Sequence, residues 1–420
     1  MKTLEFTHTV TKDREGTYYT IPFPVPENVV KMTVSYSYDH ASKGLARALN
    51  PKNIVDFGLL DGDRRFLGWS GSAHSSVTVG EYGSSAGYLA TPVKAGEWHI
   101  IIGAYHIMES GADVRYTVEF KEKGEELLFG DLHIHSNASD GRFDTFTLAK
   151  MAKDKGLDFI AIANHNNYSE NFNLPRVNGL TLIPAVEWTH YKGHLNFFGV
   201  KAPFENLFVA NDGEEMKKLI SAARDMGAVI SVNHPKCPFC PYLWGDNDAF
   251  DMIEVWNGPM RKTNLRGIAF WTQLLGEGRK IPILGGSDYH KPRSFMHLGI
   301  PATAVYSKSR NADDILKAIR NGHSFVTRNI RGPRLDMRCG EARLGDTVKA
   351  DLAVRLIITA ENLRGARLIL VTQNGEITLG RGWKKPFSAD KTVSGTGFAY
   401  LKAVQGRAVR AISNPIYFDK

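Results

Sequence analysis

From residue 127 the chain alternates short apolar runs with longer segments of helical period, and few folds accept that alternation. The apolar runs are LLFGDLHIH (127–135), FIAIANH (159–165), LTLIPAVEW (180–188), HLNFFGV (194–200), AVISVNHP (228–235), MIEVWN (252–257) and IPILGGSDYH (281–290). Between them FTLAKMAKDKG, GEEMKKLISAARDMG and TNLRGIAFWTQLLGEG repeat apolar residues at helical spacing and end in Gly, as helix C-termini do. A fourth helix is predicted over ADDILKAIRNG (312–322). Strands apolar on both faces and separated by helices predict an α/β fold whose parallel sheet is covered on both sides. Seven such strands suffice to close a barrel.

The flanks read differently. Residues 1–126 hold short alternating runs, such as VVKMTVSYSY, SSVTVGEY and VRYTVEF, separated by Gly, Ser, Asp and Asn. That is the pattern of an antiparallel β-sandwich. From about 333 the runs LAVRLIITA, ARLILVTQNG and FAYLKAV return to it and predict a small C-terminal β domain. The expected division is 1–126, 127–332 and 333–420, with KEKGEE (121–126) as the linker.

With 43% hydrophobic and 23% charged residues and no low-complexity tract, the composition excludes a disordered or fibrous chain. No apolar run reaches the roughly 18 residues that span a bilayer, and the N-terminal segment MKTLEFTHTVTKDREG has no apolar core of a signal peptide. A cytoplasmic protein that does not enter the membrane is expected. The net charge of +8 favours encounter with anions. The basic residues are nevertheless scattered, with no stripe interleaved with aromatics, so a small-molecule partner is expected over nucleic acid.

Metal-ligand residue types recur at the ends of the predicted strands. His133 and His135 alternate along the first, so both rings face one side. His165 ends the second, Glu187 the third and His234 the fifth; His194 starts the fourth; Asp288 and His290 end the seventh. The sixth ends less clearly, in Glu254, Trp256 and Asn257. In a parallel barrel the strand C-termini share one rim, where active sites lie. Imidazoles mixed with carboxylates suit Zn, Mn or Fe better than Mg or Ca. A carboxylate such as Glu187 can bridge two ions, and two ions can clamp a phosphoryl group and activate water.

The segments DLHIHSNASDG, GLDFIAIANHN, AVEWT, GHLNFFG, VNHP and GGSDYH follow one another in the order of the PHP (polymerase and histidinol phosphatase) superfamily of metal-dependent phosphoesterases, which the chain resembles over residues 128–330. VEWTHYKGHLNFFG and AISNPIYF resemble its carbaryl-hydrolase-like branch. The resemblance implies a distorted (β/α)7 barrel with two or three divalent ions. His133, His135, Glu187 and Asp288 would hold the first, Glu187, His194 and His234 the second, and Asp140, His165 and His290 the third. It further implies a hydroxide between the metals as nucleophile, with Asp140, His165, Glu187 and His290 as the catalytic set. Asn164 stands where the family commonly has Asp before His165, and the missing charge is expected to weaken one ion. His190 competes with His194 as ligand if the register differs.

On the substrate side, Asn257, Arg261, Lys291, Arg293 and Arg328 are candidates to hold a phosphate, Arg293 of SDYHKPR first among them. Cys237 and Cys240 lack a thioredoxin-like setting, and a structural zinc would need two more ligands close by. They are read as two thiols beside the rim. The expected function is metal-dependent hydrolysis of a phosphoester, mono- or diester, of a small or medium-sized molecule. A carbamate or carboxylic ester hydrolase using the same centre is the alternative, and a metal-stabilised binding module without catalysis is the third reading.

Overall fold

The structure is a computed structural model that describes residues 2–39, 52–204, 208–245, 248–293, 295–350, 353–382 and 385–419. It divides into two compact units, residues 1–124 and 125–420.

The first unit contains β1 (Lys2–Val10), β2 (Tyr18–Val25), β3 (Val29–Ser37), β4 (Ile54–Leu60), β5 (Phe66–Gly71), β6 (Ser76–Gly80), β7 (Gly96–His106) and β8 (Ala112–Glu122). They form two four-stranded antiparallel sheets, in the orders β1-β8-β3-β6 and β2-β7-β4-β5. Strand β8 illustrates the cause: Ala112, Val114, Tyr116, Val118 and Phe120 are buried, while the residues between them face outward. Buried residues of both sheets belong to one apolar cluster, across which Tyr36 stacks on Phe57 with ring centroids 5.1 Å apart.

The second unit is a mixed α/β structure. Its strands β9 (Glu126–Ile134), β10 (Phe159–Ile162), β11 (Thr181–His190), β12 (Gly193–Phe198), β13 (Val229–Val232), β14 (Met252–Asn257) and β15 (Ile283–Gly286) are hydrogen-bonded neighbours in that order. The helices are α1 (Thr145–Asp154), α2 (Gly213–Asp225), α3 (Lys262–Gly276) and α4 (Ala312–Arg320). Side-chain caps start three of them: Asp144 accepts from the Thr147 N–H, Asp212 from Glu214 and Glu215, and Asn311 from Asp313.

The all-parallel sheet expected from the apolar runs is not observed. β12 runs antiparallel to both β11 and β13, whereas the other pairs between β9 and β15 are parallel. Only Tyr191 and Lys192 separate β11 from β12. Two residues make a hairpin, and a parallel crossover needs about a dozen. Past β15 the chain returns to β9. Ile134 bridges Tyr289 in parallel, the Asp288 N–H donates to the His133 carbonyl at 2.8 Å, and the His135 N–H donates to the Tyr289 carbonyl at 3.0 Å.

Between β15 and residue 333 lie two strands that the sequence reading did not pick out, β16 (Ala302–Ser307) and β17 (Ser324–Thr327). They extend the sheet from the other edge of β9, antiparallel. The remaining strands are β18 (Arg334–Cys339), β19 (Ala342–Arg343), β20 (Thr347–Lys349), β21 (Ala353–Glu361), β22 (Arg367–Thr372), β23 (Gly375–Arg381), β24 (Phe387–Ser394), β25 (Gly397–Gln405), β26 (Ala408–Ser413) and β27 (Ile416–Asp419). β17 pairs with β26, and the sheet continues through β25 to β22 and β23. Helix α3 is held against this region: Trp271, fully buried, lies 4.8 Å from the Tyr400 ring, and Thr272 Oγ1 lies 2.9 Å from the Tyr400 hydroxyl. That packing fixes the helix whose N-terminus lines the cavity described below.

Candidate metal centre

Glu187, near the end of β11, is the meeting point. Its carboxylate is buried and lies 3.3 Å from His133 Nε2, 3.6 Å from His135 Nε2, 2.8 Å from His165 Nδ1, 3.1 Å from His194 Nδ1 and 3.5 Å from His234 Nε2. Asp288 Oδ1 lies 3.1 Å from His135 Nε2 and 3.5 Å from His133 Nε2. Asp140 lies 3.5 Å from His165 Nε2 and 3.3 Å from His290 Nε2. His190 is elsewhere, its ring against Trp188 and Trp244.

Local backbone geometry aims these side chains. His133 and His135 point the same way because they sit two apart at the end of β9. His234 and Asp288 lie just past the ends of β13 and β15 with φ of 29° and 52°, a region that residues with a Cβ seldom occupy and that costs on the order of 1–3 kcal/mol each. Gly286 makes room: a Cβ there would lie 2.3 Å from the His133 Cβ and 2.9 Å from Glu254 Oε1.

The electrostatics suit a cation. Burial acts to raise the Glu187 pKa, but the His133 charge and hydrogen bonds from His133, His165 and His194 outweigh it and hold the carboxyl well below its ordinary range. Burial opposes charge on His133 as well, yet Glu254, Asp288 and Glu187 hold its pKa well above the usual value. For His135 burial prevails over the Asp288 hydrogen bond and lowers the pKa to about 4, which keeps the ring uncharged. A divalent ion would replace the protons that the carboxylates draw to His133.

The residues fit such an ion. Among the described residues, four groups place ligand atoms within 4.8 Å of one another: His133, His135 and Glu187; His133, His234 and Asp288; His135, Asp140, His165 and His290; and His194, His234 and Cys240. His133 Nε2 and Glu187 Oε2 are buried and have only ion-pair contacts without good hydrogen-bond alignment, a costly state that a cation between them relieves. The grouping differs from the sets the family resemblance implies. His135 joins the Asp140 group, His234 also joins His133 and Asp288, and Cys240 is new.

Of the supporting residues, Glu254 was read from sequence only as an unclear strand end and Asn164 only as a departure from the family motif, and Asn233, Thr189 and Glu170 were not singled out. Glu254 accepts from His133 Nδ1 at 2.9 Å, and Asn233 donates to Glu187 Oε1 at 2.8 Å. Thr189 Oγ1 lies 2.6 Å from His165 Nδ1. Asn164 does not bond His165. Its amide donates to Glu170 Oε2 at 2.8 Å and its oxygen accepts from the Ser136 N–H at 2.8 Å. Asn233 stands one residue before His234 and Glu170 five after His165, so chain proximity to a ligand was the available signal.

A cavity of ≈ 530 Å³ opens on the cluster, lined by Asp140, His234, Glu254, Asp288 and His290 and also by Asn257, Arg261, Lys291 and Arg293. Arg328 is not among its lining residues. Helix α3 starts at this cavity with no side-chain cap on its first N–H groups, a setting that attracts anions.

No family model matches the chain. A curated relative, the DNA polymerase/3'-5' exonuclease PolX of Bacillus subtilis (strain 168), is 38% identical over 122 residues, 28% of this chain. The chain spans 19% of the length of that relative. Among solved structures, it is similar to a two-domain protein from Bacteroides vulgatus containing a predicted PHP-like metal-dependent phosphoesterase (18% identity, 70% of this chain and 96% of that one, TM-score 0.41). It is also similar to the lesion-specific endonuclease PfuEndoQ from Pyrococcus furiosus (19% identity, 52% and 63%, TM-score 0.37). In the motifs at its strand ends this chain resembles the PHP-like metal-dependent phosphoesterases.

Proposed function

We propose that this protein is a metal-dependent phosphoesterase acting on a small or medium-sized molecule. In this reading β9 to β15 form the distorted (β/α)7 barrel of the PHP type, with residues 1–126 and 333–420 as flanking β domains. Its rim holds two or three divalent ions, Mn, Zn or Fe, on His133, His135, Asp140, His165, Glu187, His194, His234, Asp288 and His290. The observation that carries the proposal is the buried carboxylate of Glu187 within 3.6 Å of five imidazoles brought in by four different strands, β9, β10, β12 and β13. A structural role needs far fewer desolvated ionisable groups.

Bound divalent ions supply a nucleophilic water at neutral pH and offset charge on phosphoryl oxygens. The chain's own residues do the rest. Glu254 and Asn233 orient His133 and Glu187. Arg261, Lys291 and Arg293, with the open N-terminus of α3, add positive charge to the lining of the cavity that the cluster also lines, and an arginine can grip a phosphate through two parallel N–H bonds. Asp140, more than half exposed between His165 and His290, is placed to take a proton from an attacking water or give one to a leaving oxygen.

The test is turnover of a panel comprising a phosphomonoester, a phosphodiester, a carboxylic ester, a carbamate and a short oligonucleotide, by protein loaded with Mn, Zn or Fe. The oligonucleotide is included because PolX and PfuEndoQ are named for action on nucleic acid. Metal-dependent cleavage of a phosphate substrate, lost in His133→Ala, is expected. Cleavage of only the carbamate or carboxylic ester would reassign the same centre to carbonyl chemistry. A metal-loaded protein inert to the whole panel would point to a binding module.

A further inference from the structure

The loop after β13 brings a thiol to the cluster. His234 takes its left-handed conformation, the chain turns back with the Cys237 N–H donating to the His234 carbonyl at 2.8 Å, and Cys240 Sγ comes to lie 3.5 Å from His234 Nδ1. His194, His234 and Cys240 each offer a ligand atom within 4.8 Å of the others. Zinc to sulfur at about 2.3 Å and zinc to nitrogen at about 2.0–2.1 Å put two ligands of a tetrahedral ion roughly 3.5 Å apart. The separation of Sγ from Nδ1 matches that spacing. Cys240 also lines the cavity, half-buried, so an ion can reach it.

We propose that Cys240 is a thiolate ligand of an ion held by His194 and by His234 through Nδ1, the ring nitrogen turned from Glu187, and that its sulfur biases this one position toward zinc or another thiophilic ion. Carboxylates and imidazoles alone accept manganese readily, whereas a soft thiolate selects against it. The other positions of the cluster are built only from nitrogen and oxygen donors. The protein would therefore hold unlike ions side by side. The proposal rests on the metal-centre reading above and adds to it a ligand that the PHP-like motif set does not include.

Cobalt(II) titrated into the full-length protein tests it without reference to turnover. Wild type is expected to show visible d–d bands together with a near-ultraviolet thiolate-to-cobalt charge-transfer band. Cys237→Ser and Cys339→Ser should keep both, and Cys240→Ser should keep the d–d bands and lose the charge-transfer band. Persistence of the band in the first two variants assigns it to Cys240 even if Cys240→Ser fails to fold. In zinc-against-manganese competition, Cys240→Ser should lower zinc preference by about tenfold or more, since losing even a hydrogen-bond partner of a ligand costs about that much. Bound cobalt with no charge-transfer band overturns the proposal and leaves Cys240 as a hydrogen-bond partner of His234. No cobalt binding at all overturns the metal-centre reading itself.

Discussion

His133 and Glu254, 121 positions apart in the chain, meet at 2.9 Å between Nδ1 and Oε1, and both side chains are buried. With a cation in place of the second ring proton, a carboxylate on Nδ1 would fix the tautomer and leave Nε2, the atom that faces Glu187 and Asp288, as the ligand nitrogen. Glu254 is itself pinned, its second oxygen accepting from the His234 N–H and the Asn257 amide, each at 3.1 Å. Glu254 thus controls the first ligand without occupying its place.

Glu254→Gln keeps the shape and removes the charge. Metal affinity is expected to fall about 10- to 100-fold, while far-ultraviolet circular dichroism stays that of wild type. Competition against a chelator of known affinity measures it. Unchanged affinity would show that His133 needs no such partner.

What was legible in the sequence follows from periodicity. His133 and His135 could be placed on one face because a strand repeats every two residues, and the four helices because their apolar residues recur at helical spacing. The antiparallel β12 was legible in principle, since the two residues Tyr191 and Lys192 are too few for a crossover. Other features were not. Glu254 sits on an apolar strand whose partner is fixed only by the way β14 and β9 come together. Cys240 reaches the cluster only because His234 adopts a positive φ, which no pattern announces. β16 and β17 are short and lie among turn residues, so neither run stood out as a strand.

Asn164 is explained by Glu170. With the amide donating to Glu170 Oε2 at 2.8 Å, an aspartate here would set two carboxylates against each other. Asn164→Asp is expected to destabilise the protein by about 1–3 kcal/mol at neutral pH, the cost of an unmade buried hydrogen bond. The loss should shrink on acidification, when the pair can share a proton. Thermal unfolding at two pH values reads this. A stability equal to wild type at neutral pH would show that Glu170 does not dictate the amide.

Arg293 and Arg328 separate phosphate binding from surface charge. Arg293 lines the cavity and Arg328 does not. Arg293→Ala should lower kcat/KM for a phosphate substrate on the order of 10- to 100-fold, the worth of a charge-assisted hydrogen bond or two. Arg328→Ala should change it little. Steady-state kinetics on the two variants decides, and equal losses would mean that long-range charge, not a clamp, attracts the substrate.

Asp131 ties β9 to the turn that carries Asp288, and the pH dependence of stability should report it. One oxygen accepts from the Ser287 N–H at 2.9 Å and the His133 N–H at 3.3 Å, the other from the Gly299 N–H at 2.8 Å. Only a carboxyl group offers enough lone pairs for three such donors. Full burial nonetheless pushes its pKa from 3.8 up to about 6, against the pull of those hydrogen bonds. The folded protein therefore binds this proton more tightly than the unfolded chain does. Stability from this group is complete below about pH 4 and is lost as pH rises through 6, a change of about 3 kcal/mol. Asp131→Asn cannot titrate, so the wild-type advantage over it in urea unfolding of the metal-free protein should shrink across that window. A difference that stays flat or grows with pH would mean that the hydrogen bonds, rather than burial, set the charge of this group.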